Sequence, residues 1–139
     1  MIVLDTNVLS ELMRANPSPT VINWVDKQDE KTLYLTSISL SEIRYGIAAL
    51  PQGKRRTNLS QQFEQHIRPL FQDRILDFDE PASLEYASLR SSSRTKGIAI
   101  SDYDALIAAS VRAHKFDIAT RDTAPFKAAG LHVVNPFSA

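Results

Sequence analysis

Four carboxylates, Asp5, Glu42, Asp104 and Asp122, stand at similar places in the pattern of this chain. Asp5 ends the apolar run Ile2-Val3-Leu4, and Asp122 follows Ile118-Ala119-Thr120, so each falls where a strand gives way to a helix. Glu42 and Asp104 fall in the first turns of helices that follow such junctions. In an open parallel sheet, ligands bind in the crevice beyond the carboxyl ends of the strands. Four acids pointing there form one pocket assembled from distant parts of the sequence. Like charges raise one another's pKa, so such a pocket needs a counter-charge. A hard divalent cation supplies it, and carboxylate-plus-water ligation favours Mg²⁺ or Mn²⁺.

Each acid also has a structural reading. Ser39-x-x-Glu42 and Ser101-x-x-Asp104 fit the capping-box pattern, in which the acid satisfies a free backbone donor. Asp122 suits a plain N-cap. Acids in a first helical turn also favour the helix dipole, by about 0.3–1 kcal/mol each. Asp5 stands apart, because an ionised carboxylate directly after a buried apolar strand needs a partner.

Rival chemistries are thin. Cysteine is absent, which removes disulfides, zinc–thiolate sites and thiol catalysis. His66, His114 and His132 show no metal-ligand spacing, and no G-x-S-x-G elbow, P-loop or G-x-G-x-x-G occurs. Trp24 reads as core. Gly46, inside a helix at a cost of about 1 kcal/mol relative to Ala, reads as a point of close helix-on-sheet packing.

The elements that must position the acids alternate in type. Strands are expected at Ile2-Val3-Leu4, Leu33 to Thr36, Ile75-Leu76 with Phe78, Ile118-Ala119-Thr120, and His132-Val133-Val134. Helices are expected from about Asn7 to Arg14, from Ser18-Pro19 through Val25, from Ser39 to Leu50, and through Leu59, Phe63, Ile67 and Leu70. Further helices run from Glu80-Pro81 to Lys96-Gly97, from Ser101 through His114, and from Asp122 to Ala129, closed by Gly130. Strands alternating with helices predict an α/β fold with a mostly parallel sheet of four to five short strands, covered on both faces.

The 139 residues suit one domain spanning 1–139, and 43% hydrophobic with 23% charged residues is ordinary globular composition. The N-terminal stretch lacks the basic n-region and long apolar core of a secretory signal. The longest apolar run, Ala105 to Ala109, is too short to cross a bilayer, which points to a cytoplasmic protein without a membrane partner. Sixteen basic residues balance sixteen acidic ones, so an overall basic coat for nucleic acid is excluded. With the four candidate acids set aside, the remainder carries a net charge of +4, grouped at Lys54-Arg55-Arg56, at Arg90, Arg94 and Lys96, and at Arg112 and Lys115. A modestly positive body around an acidic pocket suits a polyanionic substrate, although solvated helix faces look the same.

Four segments together carry a resemblance. Ile2-Val3-Leu4-Asp5-Thr6-Asn7 resembles the opening motif of PIN domains, and Ser41-Glu42-Ile43-Arg44-Tyr45-Gly46 resembles their second. Asp104-Ala105-Leu106-Ile107-Ala108-Ala109 is similar to the third, and Ala119-Thr120-Arg121-Asp122 to the fourth. Their order and spacing match over essentially the whole chain. The size, the Asp5-Thr6-Asn7 opening and the Asn135-Pro136-Phe137 ending look most like VapC-type toxins, in particular the FitB branch.

The resemblance implies a Mg²⁺-dependent ribonuclease, the toxin half of a type II toxin–antitoxin pair, cutting RNA to leave a 5′-phosphate and a 3′-hydroxyl. It assigns Asp5, Glu42, Asp104 and Asp122 as the acidic quartet around one or two metal ions, with Asp5 and Asp104 as first choices for direct ligands. Asn7 and Thr120 orient those acids by hydrogen bonds. Asp102 competes with Asp104, but helical positions two apart point about 200° away from each other. The family's phase favours Asp104. The implied partners are a homodimer mate and a small antitoxin that carries the complex to operator DNA.

Two other readings remain open. A strand-terminal Asp5 fits the nucleophile of a haloacid-dehalogenase-type phosphatase, though that family has a second Asp where this chain has Asn7. The protein could also act as a weakly active or non-catalytic partner subunit of an antitoxin–DNA repressor complex.

Overall fold

The computed structural model describes residues 1–139. Five short strands form one sheet: β1 (Ile2–Leu4), β2 (Leu33–Thr36), β3 (Ile75–Leu76), β4 (Asp117–Ala119) and β5 (Val133–Val134). Between them run α1 (Thr6–Leu12), α2 (Pro19–Asp26), α3 (Ser37–Ala48), α4 (Lys54–Gln62), α5 (Glu80–Lys96), α6 (Asp102–His114) and α7 (Thr123–Ala128). The strand order is β3-β2-β1-β4-β5 and every pairing is parallel. This is the expected α/β architecture.

The first strand of the chain is therefore the middle strand of the sheet, which explains its unbroken apolar run. Val3 and Leu4 point to opposite faces and neither is exposed. Leu4 joins Val8 and Leu9 of α1, Val21 of α2, Ile43 of α3 and Phe63 on one face. Val3 joins Leu89 of α5, Ile107 and Val111 of α6, and Phe126 of α7 on the other. Each fully buried side chain of this kind contributes about 1.5–3 kcal/mol. Sheet and helices are thus clamped from both sides.

From β1 the chain leaves toward β2, and from β4 it leaves in the opposite direction toward β5. The gap between the carboxyl ends of β1 and β4 is therefore the topological switch point, where open α/β sheets bind ligands.

Several boundaries differ from expectation. α3 begins at Ser37, capped by Thr36, rather than at Ser39. Thr120 lies just past β4, and Phe78 and His132 lie outside their strands. The helix expected through Leu59 and Leu70 is not uniform. After α4 the backbone widens into a π-turn at Phe63–Ile67 and then tightens into a 3₁₀ turn at Arg68–Phe71. The wider turn rotates the next residues, so Phe63, Ile67 and Phe71 are buried while Leu70 faces solvent. Gly46 is exposed, and a Cβ built on it meets nothing within 4 Å, so it marks no close approach. It lies on the face of α3 turned away from the sheet, on the floor of an open cleft.

Candidate active site

At the switch point Asp5 is 3% exposed, at the end of β1 and the head of α1. Its backbone N–H donates to Ala119 O of β4 at 2.9 Å, which draws the two strand ends together. Its carboxylate is held by three donors. Thr6 N–H reaches Oδ1 at 2.8 Å, Thr120 Oγ1 reaches Oδ2 at 2.8 Å, and Asn7 Nδ2 lies 3.4 Å from Oδ2. Asn7 Nδ2 also donates to Thr120 Oγ1 at 3.1 Å, and Asn7 Oδ1 accepts the Arg121 N–H at 3.1 Å. Thr120 Oγ1 accepts the Asp122 N–H at 3.1 Å. Asn7 and Thr120 thus fix Asp5 and tie it to the loop that carries Asp122.

Glu42 enters from α3. It lies in the second turn of that helix, not the first, because Thr36 Oγ1 is the cap that receives the Ser39 N–H at 3.0 Å. The capping-box reading of Ser39 and Glu42 is therefore incorrect. The Glu42 carboxylate instead accepts from Thr6 Oγ1 at 2.7 Å, and Thr6 Oγ1 lies 3.0 Å from Ser39 Oγ. Thr6 joins Asp5 to Glu42 through its own N–H and hydroxyl, a role that sequence reasoning missed. Its signal was present: a hydroxyl residue directly follows a strand-terminal acid at the head of a helix.

Asp104 enters from α6. Here the cap exists, since Ser101 Oγ receives the Asp104 N–H at 3.1 Å. That bond uses the backbone of Asp104; its carboxyl, which Ser101 also hydrogen-bonds, lines the cleft beside α5 and α6. Asp102 turns elsewhere, paired with Arg90 and 87% exposed. Asp122 occupies the N-cap position of α7 but makes no side-chain cap bond.

The electrostatics join these groups. Burial, opposed by the Thr120 and Thr6 hydrogen bonds and reinforced by Asp104 and Glu42, pushes the Asp5 carboxyl up to about 6. Burial also raises Asp104, with hydrogen bonding to Ser101 acting against it and the Asp122 charge acting with it. Asp5 thus feels two of the other acids and Asp104 feels the fourth. The structure brings all four to the switch point.

No three His, Cys, Asp or Glu side chains converge closely enough to form a closed ligand set. The donor set is nonetheless all carboxylate oxygen, with Asp5 buried and Asp104 partly so. That chemistry fits a small hydrated cation such as Mg²⁺, which keeps several waters and takes one or two carboxylates.

Two open clefts flank the acids. One, of about 1000 Å³ between α1, α3 and α4, is lined by Thr6, Arg14, Glu42, Gly46 and Arg55. The other, of about 820 Å³ beside α5 and α6, is lined by Arg90, Arg94, Asp104 and Asp122. Arginines therefore stand in both clefts, with the acids between them. No helix is long and apolar enough to cross a membrane.

Comparison with known proteins agrees with this arrangement. The family model described as PIN domain matches residues 2–131. The chain is 48% identical over 139 residues to the plasmid stability protein StbB of Pseudomonas syringae pv. tomato, covering 100% of both chains. It is 49% identical over 137 residues to the VapC ribonuclease Y4jK of Sinorhizobium fredii, covering 99% of this chain and 98% of that one. Its fold matches the crystal structure of FitAcB from Neisseria gonorrhoeae with a TM-score of 0.95 at 44% identity, covering 100% of both chains. FitAB bound to an IR36 DNA fragment gives a TM-score of 0.94 at 44% identity, with 99% of this chain and 96% of that one covered.

Proposed function

The chain belongs to the PIN-domain family, close to its VapC and FitB toxins, and on that premise we propose that it is a divalent-metal-dependent endoribonuclease. The observation that carries the reading is the buried Asp5 at the switch point, held by Thr6, Asn7 and Thr120 and joined through Thr6 to Glu42. A fold indifferent to chemistry would not gather repelling carboxylates there and then desolvate one of them.

When bound, Mg²⁺ or Mn²⁺ supplies Lewis-acid polarisation of the phosphoryl group and lowers the pKa of water for in-line attack. The residues that would hold the ion are Asp5 and Asp104, with Glu42 and Asp122 completing the set. Asn7 and Thr120 keep Asp5 in one orientation, and Thr6 does the same for Glu42. Fixing these rotamers in advance removes a reorganisation cost from the reaction. Arginines in the two flanking clefts attract the polyanionic strand on either side of the acids.

As the toxin of a type II module, the protein forms a homodimer and binds a small antitoxin, through which it reaches operator DNA. Support for this partnership comes from the relative that forms the DNA-bound FitAB assembly. The second reading, a repressor subunit with little turnover, draws on the same DNA-bound assembly. The two are separated by acid-site variants, which still complete the operator complex under the second reading.

The test of the main proposal is cleavage of labelled cellular RNA by antitoxin-free protein, with Mg²⁺, with EDTA, and with Asp5→Asn. Discrete metal-dependent products absent from the variant support the nuclease. Identical patterns for wild type and variant in every condition overturn it.

A further inference from the structure

Beside the acids lies a cluster with no part in the metal chemistry. Glu11 of α1 is 5% exposed, an unusual position for a carboxylate. It accepts the Ser18 N–H at 2.9 Å, and its Oε1 lies 3.3 Å from Arg14 Nη1 and 4.0 Å from Arg121 Nη2. The Ser18 N–H, then the two guanidinium groups, hold its carboxyl below the usual range, so it stays ionised. One buried anion thus sets two arginines side by side.

Those arginines are constrained without being satisfied. Arg121 packs its guanidinium on the Phe137 ring at 3.7 Å from the centroid, yet remains 60% exposed. The one carboxylate within 4 Å of its guanidinium is Glu11, at 4.0 Å and beyond hydrogen-bond reach, so its five side-chain N–H groups have no acceptor in the protein. Arg14 is 66% exposed and uses one nitrogen on Glu11. The trio carries a net charge of +1 with its donors turned outward.

Its place is specific. The Arg121 backbone N–H is bound by Asn7, the residue that also contacts Asp5, and Asp122 is the next residue along. Arg14 lines the same cleft as Thr6 and Glu42. Two neighbouring guanidinium groups with outward-facing donors, the Arg121 fork wholly free, suit the binding of phosphate oxygens.

We infer that Arg121 and Arg14, held by the buried Glu11 and by the Phe137 ring, form a subsite for a phosphate of the RNA backbone next to the scissile one. The inference rests on the ribonuclease reading and adds to it the residues that fix the strand's register. Phosphate contacts position a nucleic acid without reading its sequence. Glu11 and Phe137 are positioning residues, and the arginines touch the substrate.

The test measures binding of a fluorescein-labelled single-stranded RNA of mixed sequence in EDTA, in an Asp5→Asn background, across a range of salt. Each phosphate contact adds about 0.7 to the slope of log affinity against log salt for a single strand. The double variant Arg121→Gln with Arg14→Gln lowers that slope by about 0.7, and each single variant by part of it. Arg121→Lys keeps the charge and restores the slope. Lys31→Gln, at the opposite end of the strands, leaves it unchanged. Thermal melting confirms that each variant is folded.

RNA that binds with the same slope in the Arg121, Arg14 and double variants overturns the subsite and leaves the nuclease standing. The subsite also falls if Lys31→Gln lowers the slope as much as Arg121→Gln, since the contact is then only diffuse charge. If the Asp5→Asn protein binds no RNA and the wild type cuts none, the nuclease reading falls and takes the subsite with it.

Discussion

At the head of α6, Ser101 caps the helix and the acid three residues on, Asp104, has its backbone tied to that cap. At the head of α3, Thr36 caps the helix instead, and Ser39 and Glu42 are released to bond sideways to Thr6 of α1. Both segments have a serine followed three residues later by an acid. The difference lies one turn upstream, where α3 has the hydroxyl residue Thr36 at the end of its strand and the matching position before Ser101 is Ile98. A cap is claimed by the first side chain able to take it, and polar side chains further along the helix are freed for other bonds. In α6 the capping bond holds the Asp104 backbone while the Asp104 side chain still lines the cleft beside α5 and α6. Both acids reach the pocket, one through a side-chain network and one on a capped helix.

The strongest way to probe this contrast is to remove each acid's charge. Asp104→Asn lowers Mg²⁺-dependent RNA cleavage by about 10²-fold or more. Its melting temperature stays near wild type, because the capping bond to Ser101 belongs to the backbone. Glu42→Gln lowers cleavage too and also loosens Thr6, so it alone couples lost activity to a small loss of stability. Rate assays and thermal melts on the same preparations check the pair. Equal rates for wild type and Asp104→Asn would mean that the acid in α6 is a helix-dipole residue and nothing more.

Asp5, which joins the two regions, gives the next largest effect. Its carboxyl titrates near 6 in the fold against 3.8 when free, so between those values the native state holds more protons than the unfolded chain. Stability without metal therefore falls as pH rises from about 4 to about 6 and then levels off. Asp5→Asn lacks that slope. In EDTA at neutral pH it is more stable than wild type by on the order of 2 kcal/mol, and the advantage vanishes below about pH 4. Urea melts across that range read the difference directly.

The caps themselves come last. Thr36→Val removes a fully buried cap and a partner of Ser39, and costs about 1–2 kcal/mol in urea unfolding. Ser101→Ala removes an exposed cap and costs about 0.5–1 kcal/mol. A reversal of that order would indicate that solvent relaxes into the α3 end more readily than its burial suggests.

Much of this was legible in the residues. The buried run Ile2-Val3-Leu4, the Ser18-Pro19 helix start, and the stop at Gly97, with φ of +68°, follow from local rules of burial, capping and backbone sterics. The placement of Asp5 and Asp122 at strand ends is equally local. What stayed hidden depends on how elements rotate against one another. The Thr6–Glu42 bond requires α1 and α3 to pack in one relative orientation, which no window of either sequence contains. Likewise the π-turn at Phe63–Ile67 is set by the space under the sheet, where Phe71 rather than Leu70 fills the core. α6 ends at Lys115 with φ of +58°, a left-handed residue that composition gave no reason to expect. Helix-on-sheet packing was the wrong reason for Gly46, because a helix face turned toward a cleft and one turned toward a sheet can both accept glycine.

The central position of β1 carries a consequence for synthesis. It is made before the other four strands of the sheet and lies in its middle, flanked by β2 on one side and by β4 on the other. The hydrogen bond from Thr120 to Asp5 joins residues 115 positions apart. Contacts of that span close late, after the intervening chain has folded into its own helices. A nascent chain that has reached the end of α5 holds only Asp5 and Glu42 of the four acids, with the middle strand still open on one side. The four acids can therefore come together only after α6 and the loop that follows β4 have been made, and a chain that stops at the end of α5 lacks Asp104, Asp122 and one wall of the crevice.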